Sequence, residues 1–303
     1  MSEKQPNWLF FFWIIRTMIS KRGDGLMNNI LTIAGSDTIS GGGLQADLRT
    51  FQEYGMNGLN VLTCIATLSD TQMIQVDAVQ EELLNEQLNQ ITTYLPQLNA
   101  IKLGMLGTVD NAVTIARFLA RLREDIPVII DPVLALKESP LTLELDAVTV
   151  FQEQLLPLAT IVTPNLREAE LLSGMTNIAS VDDMKQAAAN IFNFGAKQVV
   201  IKGGARIPGS QAVDVFYDGS TYRELVVSKL PTNTTNGAGC TFASAIACGL
   251  AKGLPAEQAV ADSKEFVYYA IKYGQPFSED YGNVWQGGLA KHRKERALSH
   301  EPS

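Results

Sequence analysis

The sequence predicts an α/β protein with a mostly parallel sheet covered by helices on both faces. Two patterns predict it. From Ile30 onward, short runs rich in β-branched and apolar residues alternate with longer stretches whose apolar residues recur at helical spacing. Polar or glycine-rich signals then fall where five of the apolar runs end: Gly35-Ser36-Asp37, Gly104-Met105, Asp131-Pro132, Pro164-Asn165 and Lys202-Gly203-Gly204. Ligands of such sheets gather outside the carboxyl ends of the strands. Each signal alone is weak, because Gly, Asp and Pro end most strands for reasons of turn geometry. Their clustering is the argument.

Taken in order, the expected strands are Ile30–Ala34, Leu59–Ala66, Ala100–Leu103, Pro127–Ile130, Ala159–Val162 and Gln198–Ile201. Among the helices between them, Glu81–Tyr94, Asn111–Leu122 and Asp182–Phe194 place apolar residues on one face. Ala212–Tyr217 and Tyr222–Val227 alternate around Asp218-Gly219 and read as a hairpin expected to flank the site. One domain is read over 27–285, because no Pro/Ser-rich linker or repeat interrupts it, with a charged tail over 286–303.

The first 26 residues differ from the rest. Their apolar block, Trp8–Ile15, holds eight residues against the ~20 that a membrane span needs. Only Lys4 precedes it among basic residues, and no small-residue cleavage site follows. An upstream extension is the preferred reading, and a weak interfacial anchor competes with it.

Composition narrows the function. A chain of 303 residues, 46% hydrophobic, can bury a large core. A net charge of −8 argues against a nucleic-acid partner, which would need a basic face. The three cysteines, Cys64, Cys240 and Cys248, form no CxxC pair and suit a reducing cytosol. Small-molecule chemistry in the cytoplasm fits best.

The strongest local signal is Asn236-Gly237-Ala238-Gly239-Cys240-Thr241-Phe242, which opens an amphipathic helix. Glycines there let backbone amides converge on a phosphate at the positive end of the helix dipole. Such a field is expected to lower a cysteine pKa, so Cys240 reads as a base while the amides of Gly237 to Cys240 hold a transferring phosphoryl group. Asp131, Asn165 and Glu168 can face one pocket, as oxygen groups suited to Mg²⁺; the plainer alternatives are a strand-end turn, a helix cap and a first-turn carboxylate. Lys202 can reach nucleotide phosphates with Gly203 and Gly204 leaving room, or be a solvated lysine. Gln45, after Gly41-Gly42-Gly43, offers both a donor and an acceptor to a ring nitrogen and its substituent, or lies on a helix surface. Asp47 reads as a residue that begins a helix. Cys64 and Cys248 read as buried small hydrophobes. The two histidines, His292 and His300, have no partner pattern.

With these motifs in order, the chain resembles the ribokinase-like superfamily, in the branch of hydroxymethylpyrimidine/phosphomethylpyrimidine kinases and the short pyridoxal kinases. The resemblance covers about Ile30 to Tyr273 and rests on Ala34-Gly35-Ser36-Asp37 with Gly43-Leu44-Gln45-Ala46-Asp47, Lys102-Leu103-Gly104-Met105-Leu106, Asp131-Pro132-Val133, Thr163-Pro164-Asn165 with Glu168, Lys202-Gly203-Gly204 and Gly237-Ala238-Gly239-Cys240-Thr241. It implies three layers with a small β flap, ATP and Mg²⁺, a frequent homodimer, and γ-phosphoryl transfer to a hydroxymethyl group on a heteroaromatic ring. By position it makes Cys240 the base and Gly237, Ala238, Gly239 and Cys240 the anion hole. Gly35, Asp37, Gln45, Met105 and Val133 fall in the acceptor pocket, Lys202, Asn165, Gly203 and Gly239 on the nucleotide, and Asp131 and Glu168 in the Mg²⁺ region. Two positions depart from the family's habits. Asn236 stands where histidine is frequent, and Leu136 stands where pyridoxal kinases of this branch tend to carry a cysteine. The second departure tilts the expected substrate toward the pyrimidine of thiamine synthesis, with pyridoxal as runner-up. A dinucleotide oxidoreductase lacks its GxGxxG signature, and a non-catalytic sensor on the same fold would not need Cys240.

Overall fold

The computed structural model describes residues 27–68, 74–134 and 141–299. The expected extension over 1–26, the substrate-tilting Leu136 and His300 lie outside the described residues. Nine strands form one sheet: β1 (Asn29–Asp37), β2 (Asn57–Leu68), β3 (Ile74–Ala78), β4 (Leu98–Leu103), β5 (Val128–Ile130), β6 (Ile161–Val162), β7 (Val199–Lys202), β8 (Gln211–Tyr217) and β9 (Tyr222–Ser228). Their spatial order is β3-β2-β1-β4-β5-β6-β7-β8-β9. The six strands expected from sequence are the parallel ones, while β3 and the β8–β9 hairpin continue the two edges antiparallel.

Strand periodicity sorts the core into two layers. Leu31, Ile33, Val61, Ile101, Leu103, Val128, Ile130, Val162, Val199 and Ile201 face one way. They meet the apolar stripes of α2 (Glu81–Thr92), α3 (Val109–Leu119), α5 (Leu166–Ser173) and α6 (Val181–Phe192), with α4 (Leu141–Val150) between α3 and α5 in sequence. The alternate residues Ile30, Ala100, Ile129, Ile161, Val200 and Phe216 pack on α1 (Gly43–Glu53), α7 (Ala238–Ala251) and α8 (Ala256–Lys272). Thr32 and Lys102, register partners on β1 and β4, extend this second set in parity but are polar. Cys64 and Cys248 are fully buried.

Three features were not visible in the sequence. The β8–β9 turn spans four residues, because the Asp218 carboxylate gathers the amides of Ser220 and Thr221, not the two of an Asp-Gly turn. A separate small ladder joins β10 (Gln275–Pro276) to β11 (Gly282–Asn283). The segment set apart as a charged tail forms α9 (Gly288–Leu298), with Gly288 and Leu289 buried and Gln286 Nε2 donating to Thr241 Oγ1 at 3.0 Å. Charge dominates the exposed side of α9, which is why its packing is silent in composition. Among the described residues, no helix is long and apolar enough to cross a membrane.

Candidate active site

α7 begins at the sheet's carboxyl edge without a side-chain cap. Gly237 stands at its N-cap with φ of +84°, a conformation that favours glycine. A β-carbon there would lie 1.6 Å from the Gly41 carbonyl oxygen, so the glycine run and the Gly41–Gly43 loop are packed backbone to backbone. The first-turn amides of a helix have no intrahelical carbonyl to bond. Here the Ala238 amide donates to the Thr235 carbonyl at 3.2 Å, which leaves the amides of Gly239 and Cys240 without a backbone acceptor among the described residues.

Asp37 fixes the loop facing them. Its Oδ2 accepts from the amides of Gly41 at 3.0 Å and Gly42 at 2.8 Å, and its Oδ1 from Ile39. A β-carbon built on Gly42 would sit 3.7 Å from both Asp37 Oδ2 and Cys240 Sγ, so a gap wide enough for a methyl group lies between the carboxylate and the thiol. Gln45 bonds the end of β1, accepting from the Asp37 amide at 3.0 Å and donating to Ser36 Oγ at 2.8 Å. Its amide keeps one hydrogen and one lone pair for a ligand. Beneath it, Gly35 is buried against Cys64 and the Met105 side chain. Val133 is half-buried, two residues beyond Asp131, and its amide donates to the Asp131 carbonyl.

On the other side, Gly239 faces a buried ion pair. Lys202 Nζ lies 2.6 Å from Asp131 Oδ1, and a β-carbon on Gly239 would be 3.1 Å from that ammonium and 3.7 Å from Asp131 Oδ2. Burial works against the charge on Lys202, but Asp131 and Glu168 outweigh it and raise its pKa. Asn165 and Glu168 form a capping box at the start of α5: Asn165 Oδ1 accepts from the amides of Arg167 and Glu168, and Glu168 Oε2 from the Asn165 amide at 2.8 Å. The cap and first-turn readings of these residues are therefore correct. They leave Glu168 beside the ion pair, where burial pushes its carboxyl up to about 7, against the pull of Lys202 and with Asp131 adding to the rise. Gly203 and Gly204 turn away from β7 with their amides held by Asp214 Oδ1 from β8, and Lys264 of α8 pairs with the same carboxylate at 2.6 Å.

One expectation is overturned. The dipole was expected to lower the Cys240 pKa, but burial dominates and pushes the thiol up to about 11, with Lys102 opposing and Asp131 and Asp47 adding. Asp47 also departs from its expected role, since it lies inside α1 and not at its start. Its Oδ2 takes Lys102 Nζ at 2.8 Å and Thr32 Oγ1 at 2.6 Å, and its Oδ1 takes Ser244 Oγ at 2.7 Å, all four residues being fully buried. The cue was a lysine inside the apolar strand Ala100-Ile101-Lys102-Leu103, which demands a buried counter-charge.

Asn236, the departure before the glycine run, ties three segments together. Its Nδ2 donates to Asn283 Oδ1 at 2.8 Å and to the Tyr281 hydroxyl at 2.5 Å, and Asn283 Nδ2 donates to the Ile39 carbonyl at 2.8 Å. The β10–β11 ladder thus fastens the Asp37 loop to the glycine run.

The model of the phosphomethylpyrimidine kinase family matches residues 37–285. The chain belongs to this family. It is 41% identical to the pyridoxine kinase of Bacillus subtilis over 265 residues, 87% of this chain and 97% of the relative. It is 37% identical to the hydroxymethylpyrimidine/phosphomethylpyrimidine kinase of Rhizobium meliloti over 241 residues, 80% of this chain and 89% of the relative. The solved structure of pyridoxal kinase from Staphylococcus aureus in complex with AMP-PCP and pyridoxal superposes with a TM-score of 0.80 at 37% identity, covering 88% of this chain and 95% of that one. The protein is thus a kinase of the phosphomethylpyrimidine kinase family, with the α/β architecture expected from sequence.

Proposed function

We propose that this kinase transfers the γ-phosphoryl group of ATP to the hydroxymethyl group of 4-amino-5-hydroxymethyl-2-methylpyrimidine, and to the phosphate of the resulting monophosphate, in thiamine synthesis. The observation that carries it is the convergence at one helix start: Cys240 faces the Gly42 gap on one side, and Gly239 faces Lys202 and Asp131 on the other. Acceptor and donor sites then lie on opposite sides of the uncapped α7 amides. Gly35, Asp37, Gln45, Met105 and Val133 line the acceptor side, and Lys202, Asn165, Gly203 and Gly239 the nucleotide side.

In the transfer, Cys240 Sγ takes the hydroxyl proton and the freed oxygen attacks the γ-phosphorus. The bond from γ-phosphorus to the β,γ-bridging oxygen breaks, and ADP leaves with that electron pair. Amides of Gly237 to Cys240 stabilise charge on the equatorial oxygens, and Lys202 stabilises it on the leaving side. A thiol near 11 makes a strong base once deprotonated, though a sparse one at neutral pH. Among the described residues no three His, Cys, Asp or Glu side chains gather around a metal. Asp131 and Glu168 are hard oxygen donors whose mutual repulsion a cation would relieve, which fits Mg²⁺ held jointly with phosphates. The ion would neutralise charge on the β- and γ-phosphates. We take the working form to be a cytoplasmic homodimer, as the family resemblance implies.

A second reading, pyridoxine or pyridoxal phosphorylation, is favoured by the 41% identity to the Bacillus subtilis pyridoxine kinase. A coupled ADP-release assay with the pyrimidine, pyridoxine and pyridoxal separates the two. The proposal expects the highest kcat/KM with the pyrimidine. A higher value with either vitamin B6 form assigns the second reading, and ADP release that no acceptor stimulates defeats both.

A further inference from the structure

The buried Lys102 ammonium touches neither the nucleotide side nor the solvent, yet it lies on the sheet face that carries the base. Thr32 and Lys102 are register partners on β1 and β4, and both reach Asp47 on α1. Asp47 Oδ1 in turn accepts from Ser244, which stands four residues after Cys240 and so on the same face of α7. The quartet thereby pins the first two turns of α7 to the sheet. It also sets a cation on β4, the strand against which α7 packs, on the sheet face that carries the sulfur.

We propose that Lys102 is an electrostatic positioning residue for Cys240: its ammonium, locked by Asp47, stabilises the negative charge that the sulfur carries when it acts as the base. A lysine buried only for stability would be a poor choice here, because a buried ion pair is often no better than an apolar pair of the same volume. Two cations stand against three carboxylates around the sulfur. Lys102 from β4 and Lys202 from β7 stand against Asp47 from α1, Asp131 beyond β5 and Asp37 beyond β1, with the Gly43 amide at the α1 start also facing the sulfur. Lys102 opposes the rise of the thiol that Asp131 and Asp47 promote.

The inference rests on the kinase reading only for Cys240 as base, so its test reads the thiol directly. Iodoacetamide labelling of Cys240 is followed by mass spectrometry at fixed pH in the wild type, in Lys102→Met and in the double variant Lys102→Met, Asp47→Asn. The double variant removes the carboxylate that the single variant leaves unpaired, and so keeps the test open where the single variant does not fold. Labelling about ten-fold slower is expected in Lys102→Met, the change in thiolate fraction that one pKa unit gives, and a smaller slowing in the double variant, which also removes the Asp47 charge that opposes the thiolate. A matching loss of kcat with unchanged KM for ATP is expected as well, while the double variant recovers the Tm lost by the single one. Recovery of labelling rate and kcat along with Tm would show a purely structural role and overturn the inference. So would labelling at the wild-type rate in either variant. The wild-type acceptor assay, independent of these, decides the kinase reading.

Discussion

Lys202 Nζ and Asp131 Oδ1 stand 2.6 Å apart, bridging the carboxyl ends of β7 and β5 across the start of α7. Sequence reading assigned these residues to different ligands, lysine to phosphate and aspartate to metal. In the fold they answer each other, so the proposed nucleotide and its cation would have to insert between two charges that are already paired.

Lys202→Met leaves the nearly buried Asp131 without its partner. Loss of one member of a buried pair costs about 3–5 kcal/mol, so a lower Tm is expected by calorimetry. Activity should fall further than stability explains: kcat/KM for ATP drops about a hundred-fold, the scale of losing one charge-stabilising donor. Adding Asp131→Asn should restore the Tm and leave activity low. Near-normal turnover in Lys202→Met would remove the lysine from the transfer step.

Cys240 gives a pH signature. Its thiol is pushed up to about 11, and the reactive form is the thiolate, so alkylation accelerates as pH rises. Between pH 7 and 9.5 the logarithm of the labelling rate should climb with a slope near one, about ten-fold per unit, without a plateau. An ordinary cysteine would level off within that range. Substrate should protect Cys240, while Cys64 and Cys248, both fully buried, stay unlabelled. Cys240→Ser should lower kcat by about two to four orders of magnitude with ATP still bound.

Two glycines, Gly42 and Gly237, distant in sequence but neighbours in space should behave differently. An alanine at Gly237 places a β-carbon 1.6 Å from the Gly41 oxygen at a positive φ, so Gly237→Ala is expected to fold poorly or not at all. At Gly42, in extended backbone, the nearest atoms to a new β-carbon are 3.7 Å away. Gly42→Ala should therefore keep the wild-type Tm to within a few degrees yet lose about ten-fold or more in kcat/KM for the acceptor, because the methyl enters the gap between Asp37 and Cys240. Equal effects on Tm from both substitutions would contradict this account.

Asn236→Ala should loosen the β10–β11 ladder. Hydrogen exchange over 275–283 is expected to quicken and kcat to fall about ten-fold, since the Asp37 loop loses its tie to the glycine run. Unchanged exchange would show that Asn233, which also bonds this segment through Ser278 and Glu279, suffices.

The parallel strands were legible because β-branched runs and helical periodicity are local signals, and the five strand-end motifs marked the right edge of the sheet. Long-range pairing was not. Nothing near Asp47 in sequence points to Lys102, 55 residues on, and only the oddity of a lysine in an apolar strand hinted that a partner existed. Glu168 was read both as a metal group and as a first-turn carboxylate beneath the Asn165 cap; the capping box shows how it fills the second role while staying beside Asp131. The sign of the Cys240 shift was missed because a helix dipole is visible in a sequence and the depth of a side chain is not.

The bond from Asn283 to the Ile39 carbonyl spans 244 positions. A ribosome must therefore have emitted almost the whole polypeptide before the Asp37 loop can be latched. A product of premature termination between Ala251 and Asn283 keeps every strand of the main sheet and α7, yet lacks the clasp that ties the Asp37 loop to the glycine run.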